Sequence, residues 1–68
     1  MRSPDYTRAI EINPQYSLAY NNRGLAYRDL QQYREALSDL NRAIALGLEA
    51  AIPDRDAVLQ LLEGQRRD

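Results

Sequence analysis

The chain has 68 residues, nine of them basic and ten acidic, with a net charge of −1 at pH 7 and neither cysteine nor histidine. This length allows one small domain, and the missing residue types exclude disulfides and remove the commonest general base and metal ligand. The balanced charge argues against a nucleic-acid or anionic-membrane surface. No apolar run reaches the roughly 18 residues of a membrane span, so we expect a cytoplasmic protein.

Residues 4–12 predict a first, short helix. Pro4 suits a first helical turn, and Ser3 can cap it. Asn13 and Pro14 end the helix, because a residue that precedes proline is pushed out of the helical region. One face of this helix is apolar.

Three longer helices follow the first. They are expected at about 18–30, 33–46 and 54–65. Ser17 is expected to cap the second helix, and Gly47 supplies a left-handed residue that ends the third. Pro53 opens the fourth. The fold class is therefore predicted to be all-α.

One glycine lies between two tyrosines on the same face of the second helix. Tyr20, Gly24 and Tyr27 are spaced i, i+4, i+7, which places them along one stripe. Glycine inside a helix costs roughly 1 kcal/mol relative to alanine, and a close approach by another backbone is the usual compensation. We therefore predict that a neighbouring helix packs tightly at Gly24.

The third helix is amphipathic and has small residues, Ala36 and Ala43, on its apolar face. Only Leu30, Gln31 and Gln32 separate it from the second helix. A connection this short makes two helices antiparallel neighbours. The central unit is therefore predicted to be a helical hairpin.

The chain contains an internal repeat with a period of 34 residues. Residues 5–12 align with residues 39–46, and the Asp, Arg, Ala and Ile positions are identical. The first helix is thus a second copy of the later half of the third helix. The last helix departs from the repeat, since Val58 occupies the position in the alignment that is equivalent to Gly24.

The period and these residues resemble the tetratricopeptide repeat (TPR), a 34-residue helical hairpin that stacks into a right-handed superhelix. Gly24, Tyr27 and Ala36 match the family pattern. Tyr20 stands where the family has tryptophan, and Leu40 replaces its phenylalanine. The resemblance implies one TPR-like domain over residues 1–68, a right-handed α-solenoid fragment. Its parts are helix B of a partial repeat (4–12), a full repeat (18–46) and a C-terminal capping helix (54–65).

Two positions depart from the family pattern. Arg23 stands where leucine is usual, so its stem is expected to pack while its charged head reaches water. Leu48 stands where the closing proline is usual, so the turn into the last helix is expected to differ.

The resemblance implies a non-catalytic protein-interaction module that binds an extended peptide along the first helix of its hairpin. The residues expected to line this groove are Leu18, Asn21, Asn22, Leu25, Arg28 and Asp29. Asn22 corresponds to an asparagine that hydrogen-bonds the ligand backbone in peptide-binding members; the alternative is that it only caps or faces solvent. The basic clamp of members that bind chaperone tails needs several cations, and Arg28 alone is available.

The acidic residues near the last helix do not predict catalysis or a metal site. Asp54 and Asp56 are two apart, and Glu49 lies just upstream. A calcium loop needs a longer series of oxygen ligands and a glycine. Carboxylates in a first helical turn are better explained by their interaction with the helix dipole. No cofactor is expected.

Both ends of the chain carry more apolar surface than one neighbouring helix covers, which indicates self-association. The residues expected to mediate it are Tyr6, Ile10, Val58, Leu59 and Leu62. A homodimer is expected, either end to end or by exchange of helices through straightening of residues 30–33, which lack the glycine typical of the family. The alternative is a fragment of a longer TPR array.

Overall fold

The computed structural model describes residues 6–66, which form four helices. They are α1 (Tyr6–Ile12), α2 (Ser17–Asp29), α3 (Tyr33–Ala45) and α4 (Ala51–Arg66). Each helix packs on the next along the chain, and α2 also touches α4. The described residues form a slab of 40 × 31 × 13 Å. The predicted all-α fold class is confirmed, while the predicted cap at Ser3 and the proline at Pro4 lie outside the described residues.

The core lies along α3, which is packed between α2 and α4. The fully buried residues come from α3 and α4 and are all 0% exposed: Ala36, Leu40, Ala43, Ala51 and Val58. Three partly buried residues of α2 pack against this cluster: Tyr20, Leu25 and Tyr27. The helical hairpin of α2 and α3 is thus the centre of the molecule.

Gly24 brings the backbone of α2 against α3, as the sequence predicted. A Cβ atom at Gly24 would lie 2.9 Å from Cγ of Leu40 and 3.2 Å from the carbonyl oxygen of Ala36. The first distance is shorter than carbon atoms tolerate, and the second involves backbone that cannot move alone. Glycine is therefore the residue that fits this contact without displacement.

The end of α3 is closed by a left-handed glycine, also as predicted. Gly47 has φ of +102°, and its N–H donates to the carbonyl of Ile44 at 2.8 Å. The N–H of Leu48 donates to the carbonyl of Ala43 at 3.0 Å. This pair of bonds is the Schellman motif. A proline at position 48 would lack the second donor, so the departure from the family pattern has a structural role here.

The end of α2 has the same hydrogen bonds but no glycine. The N–H of Gln32 donates to Tyr27 and that of Gln31 to Arg28, both at 2.9 Å. Gln31 takes the left-handed position with φ of +63°. A side chain in that region carries a steric cost that glycine does not. The hairpin turn is therefore closed at the expense of local strain.

Two helix starts differ from the sequence prediction. Tyr16, not Ser17, is the residue that precedes α2, and no side chain caps that end. Helix α4 begins at Ala51, three residues before the expected start, because Ala51 is fully buried against the core. Pro53 is the third residue of α4. Its missing N–H is harmless there, since the first amides of a helix have no acceptor within the helix.

Candidate functional site

A bidentate ion pair joins α2 to α3 beside the glycine contact. Nε of Arg23 donates to Oδ2 of Asp39 at 2.7 Å, and Nη2 donates to Oδ1 at 2.9 Å. The side chains are 25% and 6% exposed. Two parallel hydrogen bonds between planar groups set both the distance and the orientation of the pair. This contact therefore fixes the register of the hairpin.

Aromatic rings flank the same guanidinium group. Its central carbon lies 5.9 Å from the ring centroid of Tyr20 and 5.8 Å from that of Tyr27. Hydrogen bonding to Asp39 raises the pKa of Arg23 above its ordinary value, against an opposing effect of burial. Arg23 therefore stays charged wherever the protein is folded.

The side chain of Arg23 is 25% exposed, so its head reaches water only in part. The guanidinium turns inward because Asp39 offers it a buried carboxylate. A signal for this pair was present in the sequence. Asp39 lies three residues after Ala36 and four before Ala43, so it shares their apolar stripe. A carboxylate on such a stripe needs a cationic partner, and Arg23 is an unusual cation on the facing helix.

The six residues predicted to bind peptide all lie on α2. Leu18 is 49% exposed, and Asn22 and Asp29 are also exposed. The remaining three are half-buried: Asn21, Leu25 and Arg28. The structure thus combines one exposed aliphatic side chain with an exposed amide one helical turn away.

Three members of this set differ in their hydrogen bonding. Nη2 of Arg28 donates to Oδ1 of Asp29 at 3.1 Å, so the two charges neutralise each other. Oδ1 of Asn21 is buried and has no hydrogen-bond partner among the described residues. A buried acceptor without a donor costs free energy. The α2 surface therefore has little net charge with which to select a charged ligand.

The residues predicted for self-association are not all at the surface. Tyr6 and Ile10 of α1 and Leu62 of α4 are half-buried, and Leu59 is exposed. Val58 is 0% exposed and belongs to the core cluster. Its inclusion was wrong, because α4 turns toward α3 the face that carries Val58.

A cleft of about 220 Å³ lies between α1 and α2. Six residues line it: Tyr6, Thr7, Arg23, Ala26, Tyr27 and Leu30. None of them belongs to the predicted peptide surface. The cleft depends on the angle between two helices, for which the sequence holds no local signal.

Asp56 of α4 pairs with the neighbouring residue of its own helix. Nε of Arg55 lies 2.8 Å from Oδ1 of Asp56, and Nη1 of Arg55 donates to Asn41 at 3.3 Å. Within residues 6–66 no group of three acidic side chains converges as a metal site would require. Among these residues, none of the helices combines the length and the apolar composition that a membrane span requires.

Residues 17–46 match the family described as tetratricopeptide repeat. The chain is also similar to curated proteins that are much longer. It is 54% identical over 41 residues to E3 ubiquitin-protein ligase TTC3 of Mus musculus. It is 49% identical over 41 residues to serine/threonine-protein phosphatase 5 of Homo sapiens. Each match covers 60% of this chain.

A third relative is matched over more of the chain. Tetratricopeptide repeat protein 36 of Xenopus tropicalis is 38% identical over 55 residues, or 81% of the chain. The chain spans 2%, 8% and 27% of the lengths of these three relatives, in the order given. No solved structure matches the chain significantly.

Proposed function

Residues 17–46 are a tetratricopeptide repeat, and we propose that the chain is a non-catalytic module that binds an extended peptide on the α2 surface. TPR repeats generally mediate protein–protein interactions. The observation that carries the proposal is the pairing of Leu18, 49% exposed, with the exposed amide of Asn22. The cytoplasmic location expected from the sequence remains part of this proposal.

The chemistry of these two side chains suits an extended backbone. The amide of Asn22 holds both a donor and an acceptor, so it can bond the N–H and C=O of any peptide unit. Leu18 offers apolar area for one side chain of the ligand. Because Arg28 and Asp29 neutralise each other, the surface favours peptides without a strong net charge.

The test is a screen of short capped peptides against the isotope-labelled chain, followed by Asn22→Ala. The variant is expected to bind the selected peptide more weakly by about 1 kcal/mol, the net value of one hydrogen bond. Folding should be almost unchanged, since Asn22 is exposed. Asn41→Ala on α3 is the matched control and should bind normally. Chemical-shift changes confined to α3 would rule out the α2 surface.

A second candidate function is self-association of the chain into a homodimer. Ile12 at the end of α1 is 72% exposed, and α4 exposes Ile52, Leu59 and Leu61. Apolar patches of this kind mark interaction surfaces. End-to-end contact is the geometry that these positions favour.

Helix exchange is the less suitable route to such a dimer. Arg23 and Asp39 are 16 residues apart. In one straight helix through the turn they would point about 160° apart, at 100° per residue. A partner helix laid alongside could not meet both. A native hairpin that associates through its ends keeps the ion pair within one chain.

Sedimentation equilibrium between roughly 10 and 300 µM tests self-association, because mass action makes a dimer concentration-dependent. Leu59→Lys should return a dimer to the monomer mass, while Glu63→Lys on the same helix should not. A monomer mass at every concentration would end this second candidate.

A further inference from the structure

We propose that the cleft between α1 and α2 is a separate binding site for a partner polypeptide. It would take one apolar side chain together with the adjacent backbone carbonyl. Tyr6 and Thr7 form one wall, and Arg23, Ala26, Tyr27 and Leu30 form the other. The site shares no residue with the α2 surface proposed above, so the two can be tested independently.

The cleft is of a size that accommodates a short part of a partner polypeptide. Its volume of about 220 Å³ is below the roughly 300–1,000 Å³ of sites that enclose drug-sized molecules. Its walls are mainly apolar, with two tyrosine rings and the side chains of Ala26 and Leu30. Leu30 is 65% exposed at the rim. An apolar side chain seated here would cover Leu30 and gain burial for both partners.

The polar group in the cleft is the outer edge of Arg23. Its Nε and Nη2 bind Asp39, and Nη1 donates to Oγ1 of Thr7 at a longer 3.3 Å. A guanidinium group carries five N–H donors. Within residues 6–66, these three contacts leave two donors without a hydrogen bond. An acceptor that enters the cleft can therefore bond Arg23 without displacing Asp39.

The charge balance determines which acceptor fits. The carboxylate of Asp39, 6% exposed, already neutralises the guanidinium. A second carboxylate would leave a net negative charge in a partly desolvated site, which is unfavourable. A neutral carbonyl accepts the same hydrogen bonds without that cost. The occupant is therefore an uncharged stretch of polypeptide with a large apolar residue, rather than an acidic tail or a free acid.

Two small probes of nearly equal size that differ in charge test the assignment on the full chain. N-acetylphenylalaninamide is neutral, and N-acetylphenylalanine is an anion. Titration of the amide into 15N-labelled protein is expected to shift the backbone signals of Thr7, Ala26 and Leu30. The anion is expected to bind at least about fivefold more weakly, because its carboxylate adds a net negative charge to a partly desolvated site.

Leu30, which follows the end of α2, and Leu18 within α2 provide matched variants. Leu30→Ala should weaken binding of the amide, and Leu18→Ala, on the peptide surface, should leave it unchanged. Both side chains are exposed, so folding should survive both changes. Ala26→Phe, which fills the cleft, should abolish the shifts. The proposal is overturned if the shifts cluster around Leu18 and Asn22, if the anion binds as tightly as the amide, or if no shifts occur near the cleft.

Discussion

Helix α3 is held by two neighbours through different kinds of contact. Helix α2 meets it through Gly24 and the bidentate pair of Arg23 with Asp39. Helix α4 meets it mainly through the buried side chains of Ala51 and Val58. Hydrophobic burial has no direction, whereas paired hydrogen bonds do. The hairpin of α2 and α3 is thus specified in angle and register, and α4 is held chiefly by burial.

The turns before and after α3 differ in the residue that takes the left-handed position. Both have Schellman hydrogen bonds, but Gln31 takes the left-handed position before α3 and Gly47 takes it after α3. Strained residues persist where the surrounding structure over-determines them. The ion pair and the glycine contact supply that surplus by holding together the two helices that this turn connects. The α3–α4 turn lacks such support and uses the residue that adopts this conformation without cost.

Breaking the ion pair between Arg23 and Asp39 should lower the stability of the protein the most. Asp39→Ala leaves the charge of Arg23 partly buried without its partner and is expected to destabilise by about 3–5 kcal/mol. Urea unfolding measures the loss. Asp29→Ala breaks an exposed pair and should cost no more than about 1 kcal/mol.

If Asp39→Ala does not fold, an apolar replacement keeps the test decisive. The double variant Arg23→Leu, Asp39→Leu replaces both charges by apolar groups and should fold, because such exchanges are often neutral. A loss of less than 1 kcal/mol in Asp39→Ala would show that the pair does not specify the hairpin.

Crowding of the glycine contact should have the next largest effect. Gly24→Leu forces extra atoms against Leu40 and Ala36, and overpacking of this kind costs about 1–3 kcal/mol. Thermal unfolding of Gly24→Leu and Gly24→Ala measures it. Gly64→Ala is the control, since nothing lies within 4 Å of a Cβ there; it should stabilise α4 by up to about 1 kcal/mol. Equal gains at both glycines would contradict a tight α2–α3 contact.

Substitution at Gly47 tests the comparison between the two turns that flank α3. Gly47→Gln places a side chain at φ of +102°, where no neighbouring atom lies within 4 Å of its Cβ. The expected loss of about 1–2 kcal/mol is therefore a backbone effect alone. Chemical denaturation measures it, and an unchanged midpoint would mean that the α3–α4 turn is not set by its glycine.

The reciprocal change should have the smallest effect and the opposite sign. Gln31→Gly relieves the left-handed strain but gives the unfolded chain more freedom, so we expect a gain of at most about 1 kcal/mol. Gln60→Gly, at an exposed position inside α4, has no strain to relieve and should destabilise by up to about 1 kcal/mol. If both variants lose stability, Gln31 is not strained in the folded protein.

The sequence predicted the hairpin because its signals are local. The spacing of Tyr20, Gly24 and Tyr27 indicates one packed stripe, and a glycine after an amphipathic helix indicates a left-handed stop. The orientation of α4 was harder to predict. The apolar residues of α4 lie on most sides of the helix. Periodicity alone therefore does not show that Val58 faces the core and Leu59 faces solvent.

The candidate sites differ in the same way. The exposed stripe on α2 follows from helical spacing once Gly24 is known to face α3. The cleft depends on the angle between α1 and α2 and on the rotamer of Arg23. Those properties arise from contacts between distant residues, such as Arg23 with Asp39 and Thr7. The buried pair of Arg23 and Asp39 could have been predicted from the sequence. The cleft that it borders could not.

The order in which the helices pack also bears on how quickly the chain folds. The main contacts join each helix to its successor in the chain, and Arg23 meets Asp39 across only 16 residues. Short loops close at little entropic cost. Chains dominated by local contacts fold within microseconds to milliseconds. A nascent chain could therefore form the hairpin almost as soon as Ala45 clears the ribosome, which leaves little time for its apolar faces to aggregate.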